Sequence, residues 1–219
     1  MNTDINIFGE LQKLLAGQKP GVSAQRLMMP ENRDLFIPES NPRKSAVLIV
    51  LYKLNDSNDF SQIYFPVIRR SVYNGHHSGQ MALPGGKYEQ LDSNLINTAL
   101  REANEETGIN PDKVKVMGTL TELYVPVSNI TILPVVAYLK NKPDFIINKS
   151  EVDSIFTVSL DKLLSSESKK SEEQNIHGLK ANVPYYLFSG CKVWGATAMI
   201  LSEFEQIIKK CCLKKDSIY

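Results

Sequence analysis

The chain has 219 residues, 42% of them hydrophobic and 22% charged, with 25 basic and 24 acidic side chains and a formal net charge of +1. That length carries one domain with a substantial core, or one domain plus extensions. A near-zero net charge supplies no global field toward nucleic acid, so any anionic partner must be recognised locally.

Cys191, Cys211 and Cys212 are odd in number and lack metal-site spacing, which predicts reduced thiols in a reducing compartment. The N-terminal MNTDINIFGELQ has an aspartate and no basic leading stretch, unlike a signal peptide. The longest apolar run, Ala46 to Tyr52, is strand-sized and far short of the ~20 residues that cross a bilayer. The expectation is a cytoplasmic protein with no membrane partner and no nucleic-acid partner.

In chain order, Ile5, Phe8, Leu11, Leu14 and Leu15 recur at helical spacing and predict a short amphipathic helix that Gly17 and Pro20 end. A proline-punctuated arm from Gly21 to Pro42 is expected to be irregular. Ala46 to Leu54 reads as a buried strand, Asn55 to Asn58 as a turn, and Gln62 to Arg69 as an antiparallel partner whose Pro66 argues for a sheet edge or a bulge. A loop with His76, His77, Gly79 and Gln80 leads into Gly85-Gly86. A helix then starts near Asp92 or Ser93, either of which is a good N-cap, and ends at Gly108. Strands follow over Val114 to Val125, Thr131 to Leu139 and Val152 to Val158, then a short helix at Leu160 to Leu164. Ser165 to Lys180 is polar and reads as a solvated loop or hairpin tip. Val183 to Phe188 and Cys191 to Trp194 are expected strands, and Thr197 to Lys210 a helix.

The central helix carries the chemistry. At about 100° per residue, with Leu95 set to zero, the apolar Ile96, Ala99, Leu100 and Ala103 occupy roughly 0–140°. Glu102, Glu106 and Glu105 then fall at roughly 340°, 20° and 280°, at one edge of the buried face. Like charges so placed repel each other, and a divalent cation with oxygen ligands, Mg²⁺ or Mn²⁺, would relieve the repulsion. The carboxylates alone fit a solvated Glu-rich helix at least as well, with Arg101 as local partner. Gly85 and Gly86 shift that balance, because they let backbone approach a ligand closely beside the helix.

Arg101-Glu102-Ala103-Asn104-Glu105-Glu106-Thr107-Gly108-Ile109 resembles the second half of the Nudix box. The first half departs from it. Asp92 stands where a glutamate is usual, and Arg101 lies one residue further on. Both departures, with Arg70-Ser71, His77, Gly79-Gln80 and Met81-Ala82-Leu83-Pro84-Gly85-Gly86, resemble the coenzyme A diphosphatase branch, from which Tyr73-Asn74-Gly75 departs. The resemblance implies an α/β Nudix fold, a mixed β-sheet sandwiched between α-helices, over residues 41–219. Residues 1–40 would be a helix and irregular arm packed on that core.

It further implies a metal-dependent hydrolase whose partner is a small nucleotide such as coenzyme A. Glu102 and Glu106 would hold Mg²⁺ or Mn²⁺, Glu105 would be a further ligand or base, and Arg101 would orient a carboxylate unless it is a plain surface ion pair. Arg69, Arg70, His77, Gln80, Gly85 and Gly86 would bind substrate, although neighbours on a strand point to opposite sides and a loop histidine is often a surface residue. Glu151 reads more readily as surface charge than as an outlying ligand or base, and Trp194 as core packing more than as an adenine stack. Tyr124 to Asn129 are expected in the pocket wall. The expected reaction is cleavage of coenzyme A or acyl-coenzyme A to 3′,5′-ADP and (acyl-)4′-phosphopantetheine. ADP-ribose, dinucleotide or nucleoside triphosphate substrates stay open, as do a non-catalytic nucleotide-binding module and a homodimer.

Overall fold

Strand β1, Arg43–Lys53, is buried without a break from Ser45 to Tyr52, because both of its faces are covered. The structure, a computed structural model, describes residues 7–33, 41–57, 59–72, 77–176 and 178–216. β1 runs parallel to β7, Ile130–Leu139, in continuous register from Arg43↔Ile130 to Tyr52↔Leu139. The other pairings are antiparallel. On its far edge β1 meets β2, Ile63–Arg70, only at Tyr52↔Tyr64 and Lys53↔Ile63, and β4, Gly85–Lys87, takes the other end at Ala46↔Gly86 and Val47↔Gly85. β3, Met81–Ala82, and β8, Val152–Ser159, pair with β2. β5, Val114–Thr119, and β6, Leu123–Val125, share the outer edge of β7.

Alternation along β1 sorts the core into two layers. Val47, Ile49 and Leu51 pack with helix α1, Ile7–Ala16, and helix α5, Gly195–Asp216; Ala46, Leu48, Val50 and Tyr52 pack with helix α3, Leu95–Thr107. The mixed sheet is therefore sandwiched between helices, as the resemblance implied. Ala99 and Ala103, both fully buried, let α3 lie close to the sheet. A smaller antiparallel sheet of β9, Lys169–Ile176, β10, Leu179–Phe188, and β11, Cys191–Trp194, adds Tyr186, Phe188 and Val193 to the α5 layer.

The expected short helix stands as α4, Leu160–Leu164, and several other expectations change in detail. Asn94, not Asp92 or Ser93, caps α3, its side chain accepting the Asn97 N–H at 3.0 Å. Asp92 is otherwise engaged, as shown below. Gly108 closes the helix in the left-handed region (φ 73°), donating its N–H to the Asn104 carbonyl. Pro66 opposes Thr157 of β8 on one side and on the other falls in the stretch of β2 between its β1 and β3 pairings, an open length of edge that suits a residue without an N–H; the register shift of β2 sits at Arg69/Arg70. The expected strand from 114 to 125 divides into β5 and β6. Much of the polar 165–180 stretch forms β9 and the start of β10, with Lys169 bonded to the buried Glu205 at 2.7 Å. Ile5, Pro38, Asn58 and His76 lie outside the described residues.

The described part of the arm, residues 21–33, is more ordered than its prolines predict. It contains a one-turn helix, α2, Val22–Arg26, and is tied to α5 by buried polar groups. Ser202 donates its hydroxyl to the Ala24 carbonyl at 2.7 Å. Glu203, fully buried, accepts hydrogen bonds from Gly21 N–H, the Gln25 amide, Thr121 N–H and the Thr121 hydroxyl.

Candidate active site

β4 places two glycines where side chains could not fit. Gly85 has φ 152°, and a Cβ there would overlap the Ala46 carbonyl and the Val47 Cα. At Gly86 the space a Cβ would need is filled by the Glu102 carboxylate. The glycines thus bring backbone directly against α3. Gly85 N–H donates to Glu106 Oε2 at 2.8 Å, and the Ser45 hydroxyl donates to the Gly86 carbonyl, holding the β4 segment from both sides.

Glu106 is only 2% exposed, and burial pushes its carboxyl up to about 7. The Gly85 N–H and the Arg70 charge oppose that rise, while the charges of Glu102 and Glu151 add to it. Burial also raises Glu102, against the adjacent Arg101, with smaller contributions from Glu105 and Glu151. Carboxylates that raise one another's proton affinity in a partly dry site have the chemistry of a hard-cation donor set. Glu102 and Glu106 fit that role directly. Among the described residues, however, no three His, Cys, Asp or Glu side chains already converge as a ligand set. Glu105 is turned toward Arg101 and its side chain is 48% exposed.

Arg101 is the hub of this corner. Nε and Nη2 donate to the two carboxylate oxygens of Asp92 at 2.9 and 3.0 Å, Nη2 also reaches Glu102 and the Lys87 carbonyl, and Nη1 reaches Glu105 at 3.0 Å. Asp92, 6% exposed, further accepts the Thr98 hydroxyl and the Glu89 N–H, and the Arg101 fork holds its carboxyl down at about 2. A plain surface ion pair between Arg101 and Glu105 does not describe this arrangement.

The two neighbouring arginines part ways, as alternation along β2 requires. Arg70 donates to the Gly85 carbonyl at 3.3 Å and acts on Glu106. Arg69 instead lies over Phe156, donates to the Cys191 sulfur at 3.2 Å and approaches Asp153 at 4.0 Å. The structure does not bring Arg69 to the carboxylates.

A cavity of about 340 Å³ opens beside Gly85 and Arg70. Its walls are mostly apolar and include Val47, Leu83, Val125, Ile132 and Trp194. His77 and Gln80 line it too, joined by a 3.0 Å hydrogen bond between His77 Nδ1 and the Gln80 side chain. Of the expected wall segment, 125–128 line the cavity. Trp194 is half-buried there, so core packing is not its whole surroundings. The carboxylates and the cavity meet at Arg70 and Gly85.

Three features escaped the sequence reading. Glu151, taken as surface charge, acts electrostatically on both Glu102 and Glu106. Its position before a strand was the available signal. Asp92 is a buried anchor for Arg101, not a cap. Arg33 of the arm lines the cavity, which no motif indicated.

The NUDIX domain family model matches residues 42–179. Nudix hydrolase 15, mitochondrial, of Arabidopsis thaliana is 37% identical over 166 residues, which cover 73% of this chain and 56% of that protein. Nudix hydrolase 22, chloroplastic, of the same plant is 35% identical over 73% of this chain and 53% of its own length, so the chain spans about half of each plant relative. The uncharacterized Nudix hydrolase NudL of Photorhabdus laumondii is 32% identical over 72% of this chain and 89% of its own length. With the box residues Arg101 to Ile109 seated on α3 against Gly85 and Gly86, and with the family match spanning most of the sheet, this chain belongs to the Nudix hydrolase family.

Proposed function

We propose that the protein is a divalent-metal-dependent hydrolase of nucleoside diphosphate derivatives, with coenzyme A or an acyl-coenzyme A as favoured substrate. The products would be 3′,5′-ADP and (acyl-)4′-phosphopantetheine. The observation that carries the reading is the Gly85–Glu106 hydrogen bond. It sets a buried carboxylate at the joint between an apolar cavity and the Arg70 guanidinium. A diphosphate lying at that joint would have its nucleoside or pantetheine end in the cavity and its charge beside Arg70. The segment His77 to Gln80, shared in pattern with the coenzyme A diphosphatase branch, supports the finer substrate.

Glu102 and Glu106 would hold Mg²⁺ or Mn²⁺, with Glu105 and Glu151 at the margin. When bound, such a cation supplies positive charge to phosphoryl oxygens and makes water a stronger acid. Arg101, fixed by Asp92, keeps Glu102 aimed at Gly86. Arg70 orients the phosphoryl group through its planar fork, and the apolar walls exclude water from the non-reacting part of the substrate. Residues 41–219 would form the catalytic domain, and residues 1–40 an extension packed on it.

A cytoplasmic location belongs to the same reading. It is supported by Cys191, Cys211 and Cys212, which form no disulfide among the described residues. A panel of coenzyme A, acetyl-coenzyme A, ADP-ribose, NADH and a dinucleoside polyphosphate, each with Mg²⁺ or Mn²⁺, tests the substrate. Coenzyme A or its acetyl derivative should turn over fastest. Faster turnover of ADP-ribose or NADH would overturn the coenzyme A assignment, and no turnover of any member would overturn the enzyme reading.

A further inference from the structure

β9 ends the smaller sheet, and among the described residues its one strand neighbour is β10. The pairing with β10 fixes which of its backbone groups face outward. Asn182 of β10 donates its N–H to the Glu31 carboxylate at 2.7 Å, and its carbonyl accepts the Glu31 N–H. Both its groups are thus used away from β9, and Asn182↔Glu173 is a pair that exchanges no ladder bonds. Pro184, opposite Ser171, agrees, since it has no N–H to give. Alternation makes Tyr185↔Lys170, Val183↔Glu172 and Ala181↔Gln174 the bonded pairs. The N–H and carbonyl of Lys169, Ser171, Glu173 and Asn175 therefore point to the open side of β9.

An open edge accepts another strand unless its side chains forbid it. Here the order is Lys169-Lys170-Ser171-Glu172-Glu173, two cations and two anions about a small residue. Two such edges, antiparallel and centred on Ser171, bring their outward groups together in bonded pairs. Lys170 then stands opposite Glu172 of the second copy and Lys169 opposite its Glu173, each twice by symmetry. The next registers that the outward groups allow set Glu172 against Glu172 or Lys170 against Lys170, which like charge disfavours. Lys170 is exposed and, among the described residues, forms no ion pair within its own chain. Glu172 is held by Lys192 and Gln174, with its side chain still 30% exposed.

We infer that β9 is a self-association edge, on which a second copy of this chain pairs antiparallel about Ser171 and joins the two small sheets into one. Sedimentation of the full chain at rising concentration tests this. The wild type should pass from monomer to dimer, and high salt should displace the transition to higher concentration. Ser171→Pro removes an outward N–H and no bond to β10, so it should stay monomeric with an unchanged circular dichroism spectrum. Lys170→Glu and Glu172→Lys should each self-associate at least about tenfold more weakly, because each sets two like-charged pairs across the edge. Their equimolar mixture should dimerise about as well as wild type, since every facing pair is again of opposite charge. A wild type that stays monomeric throughout overturns the inference. So does a dimer that neither charge reversal weakens, or a mixture no tighter than its components, and these readings stand even if Ser171→Pro fails to fold.

Discussion

Arg101 and Asp92 are joined at two points, Nε to Oδ1 at 2.9 Å and Nη2 to Oδ2 at 3.0 Å, with the carboxylate buried and the guanidinium reaching on to Glu102. The pair fastens the loop after β4 to the middle of α3. It also fixes the direction from which Glu102 meets Gly86.

The pair makes stability depend on acid. Asp92 is held down at about 2 from an ordinary 3.8, so the folded state favours the carboxylate. Its contribution is fully present above about pH 4 and is lost as pH falls toward 2. The shift corresponds to about 2 kcal/mol. Asp92→Asn should therefore lose about 2 kcal/mol in urea unfolding at pH 7, a difference that shrinks below pH 3. A pH-independent loss would show that the hydrogen bonds, not the charges, matter.

Glu106 works in the opposite sense. Its folded value of about 7 lies above the ordinary 4.5, so the folded state favours the protonated acid. Without metal, stability should fall as pH rises from about 4.5 through 7, by up to about 3 kcal/mol. Glu106→Gln should flatten that profile while lowering turnover by at least about a hundredfold. Added Mg²⁺ or Mn²⁺ should raise the wild-type melting temperature at pH 8 and leave Glu106→Gln nearly unmoved. Equal activity in the variant would sink the assignment of Glu106 to the metal.

The two glycines should fail differently. Alanine at Gly85 meets rigid backbone and a disfavoured φ, so Gly85→Ala should cost on the order of 3 kcal/mol of stability. Alanine at Gly86 meets the movable end of Glu102. Gly86→Ala should keep most of the stability and lose at least about tenfold in kcat, by moving Glu102. Unfolding curves and kinetics on both variants separate the cases.

Glu203 is the anchor of the arm. Glu203→Ala leaves the Gly21, Gln25 and Thr121 donors without their acceptor and should cost about 2–4 kcal/mol. Proteolysis before global unfolding should then cut within residues 17–33. Uncut wild-type and variant chains under the same protease would contradict this.

Much of this organisation could be read from residue patterns, and the exceptions have physical causes. The period of α3, its closing Gly108 and the buried run of β1 are local signals, and each matched an element. The same period set Glu102, Glu106 and Glu105 at the edge of the buried face, where the first two stand, while Glu105 turns out to Arg101. What escaped was long-range. Asp92 looks like a cap until Arg101 folds back on it. The surface charge of Glu151 acquires meaning only when the start of β8 comes alongside Glu102 and Glu106. Arg69 and Arg70 were both expected to bind substrate, and only the sheet decides which one faces the glycines. Ser165 to Lys180 is polar because its strands lie at the margin, and it owes its order to β10 and to Lys169 meeting the buried Glu205.

The contact between Gly21 and Glu203 spans 182 positions of the chain. On a ribosome adding about 5–20 residues per second, the arm would wait on the order of 10–40 s for its anchor. The sheet and the box on α3 can pair well before then. The wall that carries Arg33 is therefore assembled last, after the strands and the helix that hold Gly85, Glu102 and Glu106.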